Sequence, residues 1–334
     1  MKTPRSLSTF LAASVLSATF AFAQDAVTSD VVGFTTSSLT GGTGNIYAPA
    51  FVNAASATGS LTSSTSGATS TLVTDASLAD SAFNETTSVP GVSKGYPRYY
   101  VEITNDTNSG DSIDTVGLII DIVSNTSSDI VVGADVSALG VQGDESFVVR
   151  EHVTLGKLFE GSTGVGAYSD AITIYNEDGA GTAVTHISDG VGGFLLNDFV
   201  TSSTNAPIYP GTGVVINNPS NVTITASGTV KESATQVVVY GGSVVNVVSV
   251  MQPKSSVALG DDMHNALLAY TDVCTPYSTD GTLTAETGFM STGAGSFVET
   301  DFATPATPTV DGTSEAFVIS AASGTVVKLS GNSL

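Results

Sequence analysis

Short runs of Val, Ile, Thr and Tyr recur along the chain, and each is bounded by Gly, Asn, Asp or Ser. Runs of this kind, separated by turn-forming residues, are typical of β-strands. The apolar spacing of an amphipathic helix is nearly absent after the first 23 residues. The pattern therefore predicts an all-β, antiparallel fold. The clearest predicted strands cover residues 99–103, 116–123, 130–132, 147–149, 214–216, 222–224, 237–240, 244–250 and 317–319.

Residues 1–23 have the layout of a secretory signal peptide. Lys2 and Arg5 form a charged start, an apolar stretch ends at Phe22, and Ala21-Phe22-Ala23 offers a cleavage site flanked by small residues. The apolar stretch is shorter than the roughly 20 residues that a membrane-spanning helix needs, and no later stretch is long enough. We therefore expect cleavage after Ala23 and a secreted protein that is extracellular, at the cell surface or periplasmic.

Short motifs recur in the same order along the chain, which is the signature of internal repeats. The segment Thr28–Gly33 is similar to residues 127–133 and, more loosely, to residues 235–241. A longer series at offsets of 102 or 103 residues relates 175–179 to 277–281, 197–199 to 300–302, and 213–216 to 316–319. The alternative is coincidence among strands of similar composition. The repeat interpretation predicts three β units, which are free to share sheets, at residues 24–125, 126–232 and 233–334.

The repeats leave one predicted strand without a neighbour at each end of the chain. In the middle unit, the polar turn at 124–128 predicts a hairpin between the strands before and after it. The strand at 30–35 has no such partner before it, and the strand at 324–329 has none after it. We predict that the N- and C-terminal strands pair with each other, because this would cover two exposed edges.

The amino-acid composition predicts a polar surface with few charges and excludes nucleic acid as an expected partner. Charged residues make up 12% of the chain and hydrophobic residues 41%, so Ser, Thr, Asn and Gly must supply most of the solvated surface. The net charge is −22, which excludes nucleic acid as an expected partner because phosphate backbones require clustered cations. Segments 54–75 and 104–112 are the most polar, and we interpret them as surface loops, with disorder as the alternative for 54–75.

The sequence contains no recognisable catalytic motif. It has no Gly-x-Ser-x-Gly elbow, no P-loop and no His-Glu-x-x-His. Its histidines, His152, His186 and His264, are isolated, and we interpret residues 261–264 as a polar turn. The single cysteine, Cys274, has no partner for an intramolecular disulfide and is interpreted as a small buried hydrophobe. No catalytic residue is predicted.

The best candidate for a binding surface is the aromatic cluster at residues 95–100. It contains Tyr96, Arg98, Tyr99 and Tyr100, so a cation lies among three aromatic rings. The alternative interpretation is the entry to a strand, with the tyrosines packing on alternate faces. The chain has no Trp, which counts against an aromatic platform for sugars.

A weak calcium site is the second candidate. Asp106, Asn108, Asp111 and Asp114 carry oxygen ligands at an alternating spacing that resembles the first half of a calcium loop. The segment departs from the EF-hand pattern in the position of its Gly and lacks the final Glu. A tight polar turn is the alternative. Apart from weakly bound Ca²⁺, no cofactor is predicted.

Several segments resemble a family of secreted, β-rich bacterial proteins of similar length, often present as several paralogues per genome. They are Thr28–Phe34, Gly143–Arg150, Val153–Phe159 and Ile208–Ile216. The chain departs from the resemblance at Glu151-His152, where a Trp is expected after Arg150. The resemblance implies secretion and a β-rich fold, and it carries over no catalytic residue.

Together these features predict a secreted, non-enzymatic structural or adhesive protein of the bacterial cell surface or extracellular matrix. Its expected partners are further copies of the chain or other surface proteins. One alternative is a secreted polysaccharide-active enzyme or a carbohydrate-binding module. A second is an outer-membrane β-barrel, which the short strands and the absence of a C-terminal aromatic residue disfavour.

Overall fold

The computed structural model describes residues 31–42, 44–84, 95–107, 113–175, 182–242, 244–260, 263, 266–277, 281–293, 296–312 and 315–331. The predicted signal peptide, residues 1–23, lies outside these ranges. The described residues are almost entirely β, with antiparallel ladders, which confirms the predicted fold class. Among them, no helix has the length and apolar character needed to cross a membrane.

Six strands between residues 55 and 151 close into a barrel. Alternate side chains point inward, so that Leu72, Ile103 and Phe147 are buried in an apolar core. Around the barrel the strands follow the order β3 (Ala55–Ser64), β4 (Ser70–Thr74), β7 (Asp129–Val132), β6 (Ile119–Asn125), β5 (Tyr99–Asn105) and β8 (Ser146–Glu151).

The residues on both sides of the barrel, 31–52 and 153–230, form what we call the first β-domain. Its sheet has the order β12-β11-β10-β14-β2, and two ribbons, β1–β15 and β9–β13, complete it. Thr154 caps the short helix α1 by accepting a hydrogen bond from the Lys157 amide at 3.2 Å. The elements are β1 (Val32–Leu39), β2 (Asn45–Tyr47), β9 (Val153–Thr154), α1 (Leu155–Phe159), β10 (Ala171–Tyr175), β11 (Ala183–Ser188), β12 (Phe194–Leu196), β13 (Pro207–Ile208), β14 (Val214–Asn217) and β15 (Val222–Thr229).

Residues 235–329 form the second β-domain. Its sheet has the order β17-β24-β19-β20-β21-β22, and its ribbons are β16–β25 and β18–β23. Apolar residues such as Val239, Phe317 and Ile319 are buried between these layers. The strands are β16 (Thr235–Val239), β17 (Asn246–Val248), β18 (Val257–Ala258), β19 (Val273–Pro276), β20 (Phe289–Ser291), β21 (Phe297–Glu299), β22 (Pro305–Ala306), β23 (Thr309–Val310), β24 (Phe317–Ser320) and β25 (Thr325–Leu329).

The two β-domains have the same strand order. The sheet β12-β11-β10-β14-β2 corresponds to β21-β20-β19-β24-β17, and the second β-domain adds β22 at its edge. Individual contacts are also repeated: the Asn45 side chain donates to the Thr40 carbonyl at 3.0 Å, and Asn246 donates to the Tyr240 carbonyl at 2.9 Å. The fold is therefore a duplicated β-domain, with the barrel inserted into the first copy between β2 and β9.

This arrangement does not confirm the predicted count of three repeats. The barrel has an unrelated strand order, so the topology occurs twice among the described strands and not three times. The predicted boundary at 232/233 falls in the connection between β15 and β16, whereas that at 125/126 falls in the β6–β7 hairpin. The segment 54–75, which was expected to be a loop, supplies β3 and β4 of the barrel.

The predicted pairing of residues 324–329 with 30–35 is not found in the part of the chain that the structure describes. Instead, β1 pairs with β15, and β25 pairs with β16. Each terminal strand therefore pairs within its own β-domain. β1 and β15 are the first and last strands of the first β-domain, and β16 and β25 are those of the second. The predicted hairpin around 124–128 is confirmed as β6–β7.

Equivalent residues of the two β-domains meet at their interface. Ile46 and Val247 hold the same position in the two copies, and both belong to one small apolar cluster with Ala316. The counterpart of Ala316 is Gly213, where an added Cβ would lie 3.0 Å from the Ala316 Cβ. The close approach of the two sheets thus depends on small residues at this point.

Candidate binding sites

An exposed aromatic pair lies at one end of the first β-domain. Tyr168 precedes β10 and Phe199 follows β12, and their ring centroids are 6.3 Å apart. The two residues are 61% and 54% exposed. Val200, beside Phe199, is exposed as well. Two loops therefore present a small apolar patch to solvent.

The turn that carries Phe199 is fixed by Asp198. One carboxylate oxygen of Asp198 accepts hydrogen bonds from the amides of Val200 and Thr201, each at 2.9 Å. The other accepts from the Thr201 hydroxyl at 2.6 Å, and this bond is the main reason why the pKa of Asp198 lies below its ordinary value. Phe199 has φ +58°, a left-handed conformation that favours Gly or Asn.

Tyr168 has a similar backbone conformation. Its φ is +54°, and its amide donates to the carbonyl of Ser188 at 2.8 Å. The loop is closed by Asp170, whose carboxylate accepts from the Gly166 amide at 2.9 Å. A bulky residue in the left-handed region costs about 1–2 kcal/mol. Both rings are therefore exposed on backbone that would be more stable with Gly.

The second β-domain carries the same residue types on the same turns, and we call its Tyr270 and Phe302 the second aromatic pair because their positions are equivalent to those of Tyr168 and Phe199. Tyr270 has φ +54° and donates its amide to the Ser291 carbonyl at 2.8 Å, and Phe302 has φ +65°. Asp301 accepts from the amides of Ala303 at 2.9 Å and Thr304 at 2.8 Å. Tyr270 is 51% exposed and Phe302 is 60% exposed. The same residue types, turns and backbone angles thus recur at the same places of the duplicated topology.

A second feature is an open cavity of about 370 Å³ at the junction of the barrel and the first β-domain. Asp121 of β6 lines it, and Tyr209 donates a hydrogen bond to one oxygen of that carboxylate at 2.6 Å. The other oxygen of Asp121 lies 2.9 Å from Nε2 of His152, a residue that is almost fully buried. The other residues that line it are Pro97, Ile119, Ile120, Ile122, Val123, Gly133 and Ala134, of which Ile120 and Ile122 have their side chains in the barrel core.

The structure places the predicted aromatic cluster mostly in the interior. Tyr96 and Tyr100 are buried, and Tyr99 packs edge-on against Phe83 at 5.1 Å. Arg98 is exposed, pairs with Glu151 at 2.8 Å, and lies 5.0 Å from the Tyr99 ring centroid. The Tyr100 ring lies 4.7 Å from the ring of His152, the residue whose Nε2 contacts Asp121.

The four predicted calcium ligands are only partly covered by the structure. Asn108 and Asp111 lie outside the described residues. Asp106 accepts from the Thr115 hydroxyl at 2.8 Å, and Asp114 forms an ion pair with Lys328 of β25. Within the described ranges, no group of three or more His, Cys, Asp or Glu side chains is arranged to hold a metal ion.

The other residues considered from the sequence lie apart from both features. Cys274 is buried in the second β-domain, and burial raises the pKa of its thiol well above the ordinary value. His186 is buried in the first β-domain, whereas Asp261, Asp262 and His264 fall outside the described residues. Neither Cys274 nor His186 lies beside the aromatic pairs or the Asp121 cavity.

The sequence signals for the two features differ in strength. The parallel between residues 197–199 and 300–302 pointed to a repeated Asp-Phe turn. Nothing in it indicated that the rings are exposed. Asp121, His152 and Tyr209 come from three distant segments, and no local pattern joins them.

The comparisons with known proteins identify no relative. No protein-family model, no curated protein and no solved structure matches the chain. The functional conclusion therefore rests on the geometry of the two features and on the sequence.

Proposed function

We propose that the chain is a secreted, non-enzymatic adhesive protein of the bacterial cell surface or extracellular matrix, which attaches to neutral polysaccharide through its two aromatic pairs. The observation that carries the proposal is the repetition of exposed Tyr and Phe residues on left-handed backbone, Tyr168 with Phe199 and Tyr270 with Phe302. Strained backbone at exposed residues is a reason to look for a function. A feature repeated in both copies of a duplicated fold points to one ligand chemistry bound twice.

The size of the patches favours a sugar over a protein partner. A stable protein interface buries about 800 Å² on each partner, far more than two aromatic rings and a neighbouring Val200 can supply. Although the chain has no Trp, the adjacent rings of Tyr168 and Phe199 match the apolar faces of one or two sugar units. Aromatic faces contribute a large contact area at low entropic cost. Polysaccharides also repeat along their length, so one chain or one surface can engage both sites.

The negative charge of the protein favours a neutral polysaccharide over an anionic one. Asp198 and Asp301 lie directly beside the exposed Phe residues, and the whole chain has a net charge of −22. Anionic glycans would be repelled by this surface. A neutral glycan avoids that repulsion and needs no cation from the protein.

Secretion and surface location are supported by the sequence. Residues 1–23 have the charged start, apolar stretch and cleavage site of an exported protein. The resemblance to a family of secreted β-rich bacterial proteins points the same way. Fractionation of the native host tests this part, because recovery in a detergent-resistant surface layer is expected and retention in the cytoplasm would contradict it.

The binding test uses the mature chain, residues 24–334, and insoluble neutral polysaccharides such as cellulose, chitin and a β-1,3-glucan. The wild type is expected to sediment with at least one of them. Replacing one pair by Ala, either Tyr168 with Phe199 or Tyr270 with Phe302, should weaken apparent binding about tenfold or more, because two linked sites gain avidity. Replacing all four should abolish sedimentation.

Phe34→Ala is the matched control. Phe34 is an exposed Phe on the regular strand β1, so its loss removes a similar apolar surface from another place. This variant should bind like the wild type. Undiminished binding by the four-residue variant would overturn the aromatic-pair proposal, and release of soluble sugars by the wild type would overturn the non-enzymatic one.

A further inference from the structure

The Asp121 cavity is a separate feature from the aromatic pairs. Of the described residues, those that line it include one acidic side chain, Asp121, and no basic one. The carboxylate of Asp121 is 33% exposed and accepts one hydrogen bond on each oxygen, from Tyr209 and from His152. Each oxygen keeps a second lone pair that can face the cavity. Because Ile120 and Ile122 on either side point into the barrel, the strand alternation directs Asp121 outward.

The nearby cations are engaged elsewhere. Arg98 pairs with Glu151 at 2.8 Å. Arg150 and Lys231 both pair with the buried Glu102. Within the part of the chain that the structure describes, neither Arg nor Lys contacts Asp121.

His152 contacts Asp121 through one of its two ring nitrogens. Its Nε2 faces Asp121, and its buried Nδ1 has no hydrogen-bond partner among the described residues. With the proton on Nε2, the imidazole donates to one oxygen of Asp121 and leaves the second lone pair of that oxygen for a ligand.

We propose that this cavity binds an organic cation, a primary ammonium or guanidinium group carried on an apolar stem. Asp121 pairs with the cationic head, while Pro97, Ile119 and Val123 contact the stem. A volume of about 370 Å³ is large enough for such a group. The acidic chain attracts cations to its surface, which favours their capture. The same chemistry is offered by a free amine and by a Lys or Arg side chain of another protein.

The test is titration calorimetry on the mature chain with n-pentylammonium and N-butylguanidinium, and with 1-pentanol as a neutral probe of the same length. The cations are expected to bind and the alcohol is not. Asp121→Asn should weaken cation binding at least tenfold. Asp144→Asn, which removes an exposed carboxylate in the loop before β8, should leave it unchanged.

A second variant keeps the test decisive if Asp121→Asn does not fold. Val123→Phe fills the cavity but retains the carboxylate, and it should also weaken binding at least tenfold. Circular dichroism verifies that each variant is folded. Equal binding of the alcohol and the cations, absence of cation binding, or unchanged binding in a folded cavity variant would each overturn the proposal.

The two sources of the cation are separated by further probes. Cadaverine represents a free amine, and a lysine blocked at both its amino and carboxyl groups represents a protein side chain. Tighter binding of cadaverine supports a small free ligand, and tighter binding of the blocked lysine supports a partner protein. Both results uphold the cation site, and neither bears on polysaccharide attachment through the aromatic pairs.

Discussion

Lys231 and Glu102 form an ion pair in which both side chains are buried, with Nζ 2.8 Å from Oε1. Glu102 belongs to barrel strand β5, whereas Lys231 follows β15 at the end of the first β-domain. Arg150 Nε lies 3.4 Å from the other oxygen of Glu102, so one carboxylate faces two cations. Burial lowers the pKa of Lys231, and attraction to Glu102 opposes that effect. The pair connects the barrel to the β-domain into which it is inserted.

Glu102→Gln should therefore be strongly destabilising. The substitution keeps the shape of the side chain but removes the negative charge that faces the buried cations Lys231 and Arg150. Breaking a buried pair in this way costs about 3–5 kcal/mol. Urea denaturation of the mature chain, followed by circular dichroism, measures the free energy of unfolding.

Glu160→Gln is the control for the Glu102 substitution. Glu160 pairs with Lys157 on the surface of α1 at 2.6 Å, and both side chains are exposed. Solvent screens such a pair, so its loss should leave the unfolding curve nearly unchanged. Equal effects of the two substitutions would contradict the role assigned to the buried pair.

The sequence predicts local features of this fold better than distant ones. The β6–β7 hairpin follows from the polar turn at 124–128, because its two strands are adjacent in the chain. The ordered matches at an offset of 103 residues fall at equivalent places of the two β-domains. Residues 213–216 and 316–319 lie at β14 and β24, and residues 197–199 and 300–302 directly follow β12 and β21. Strand composition and short turns therefore carry most of the information that a single sequence offers.

The sequence does not predict which strands pair with each other across the inserted barrel. β1 pairs with β15 although the whole barrel lies between them in the chain. Strand β3 was missed because its sequence, Ala55–Ser64, is mostly small and polar and has Leu61 as its one fully buried residue. Long-range register depends on the packing of complete domains, for which a short segment carries no signal.

The aromatic turns should depend on pH in a defined direction. Hydrogen bonds from the Thr201 and Thr304 hydroxyls, together with backbone amides, lower the pKa values of Asp198 and Asp301 from an ordinary value of 3.8. A lowered pKa in the folded state contributes stability that is present above the ordinary value and is lost as the pH falls through the folded value. The turns that carry Phe199 and Phe302 should therefore loosen only below pH 3.8.

Sedimentation with polysaccharide, measured from about pH 6 down to about pH 3, tests this prediction. Wild-type binding should stay constant down to pH 3.8 and decrease only below it. A variant with Asp198→Asn and Asp301→Asn has no carboxylate to titrate in these turns, so it should lack that final decrease. An identical decrease in the variant would assign the effect to other acidic residues.

Phe199→Gly should separate stability from binding. Gly adopts a positive φ without the steric cost that Phe incurs, although it also gains freedom in the unfolded chain. The net expectation is an increase of about 0.5 kcal/mol in the free energy of unfolding, because the exposed ring loses little packing. Binding to polysaccharide should weaken nevertheless.

Phe34→Gly provides the matched comparison for Phe199→Gly. Phe34 is equally large and is also exposed, but it lies within the regular strand β1. Gly in a strand is destabilising by roughly 0.5–1 kcal/mol, so the change in stability should have the opposite sign. A loss of stability in Phe199→Gly as large as that in Phe34→Gly would contradict the strain assigned to the turn.

Gly213→Ala should disturb the interface between the two β-domains. An added Cβ at this position would lie 2.7 Å from Val247 Cγ1 and 3.0 Å from the Ala316 Cβ, both closer than packed carbon atoms normally come. Overpacking of this kind costs about 1–3 kcal/mol, measured as a loss in the free energy of unfolding in urea. Gly133→Ala is the control, since its new Cβ would meet only Val123, at 3.6 Å, an ordinary contact distance. The prediction fails if the two substitutions have the same effect, because the small residue at 213 would then not be what lets the duplicated sheets approach each other.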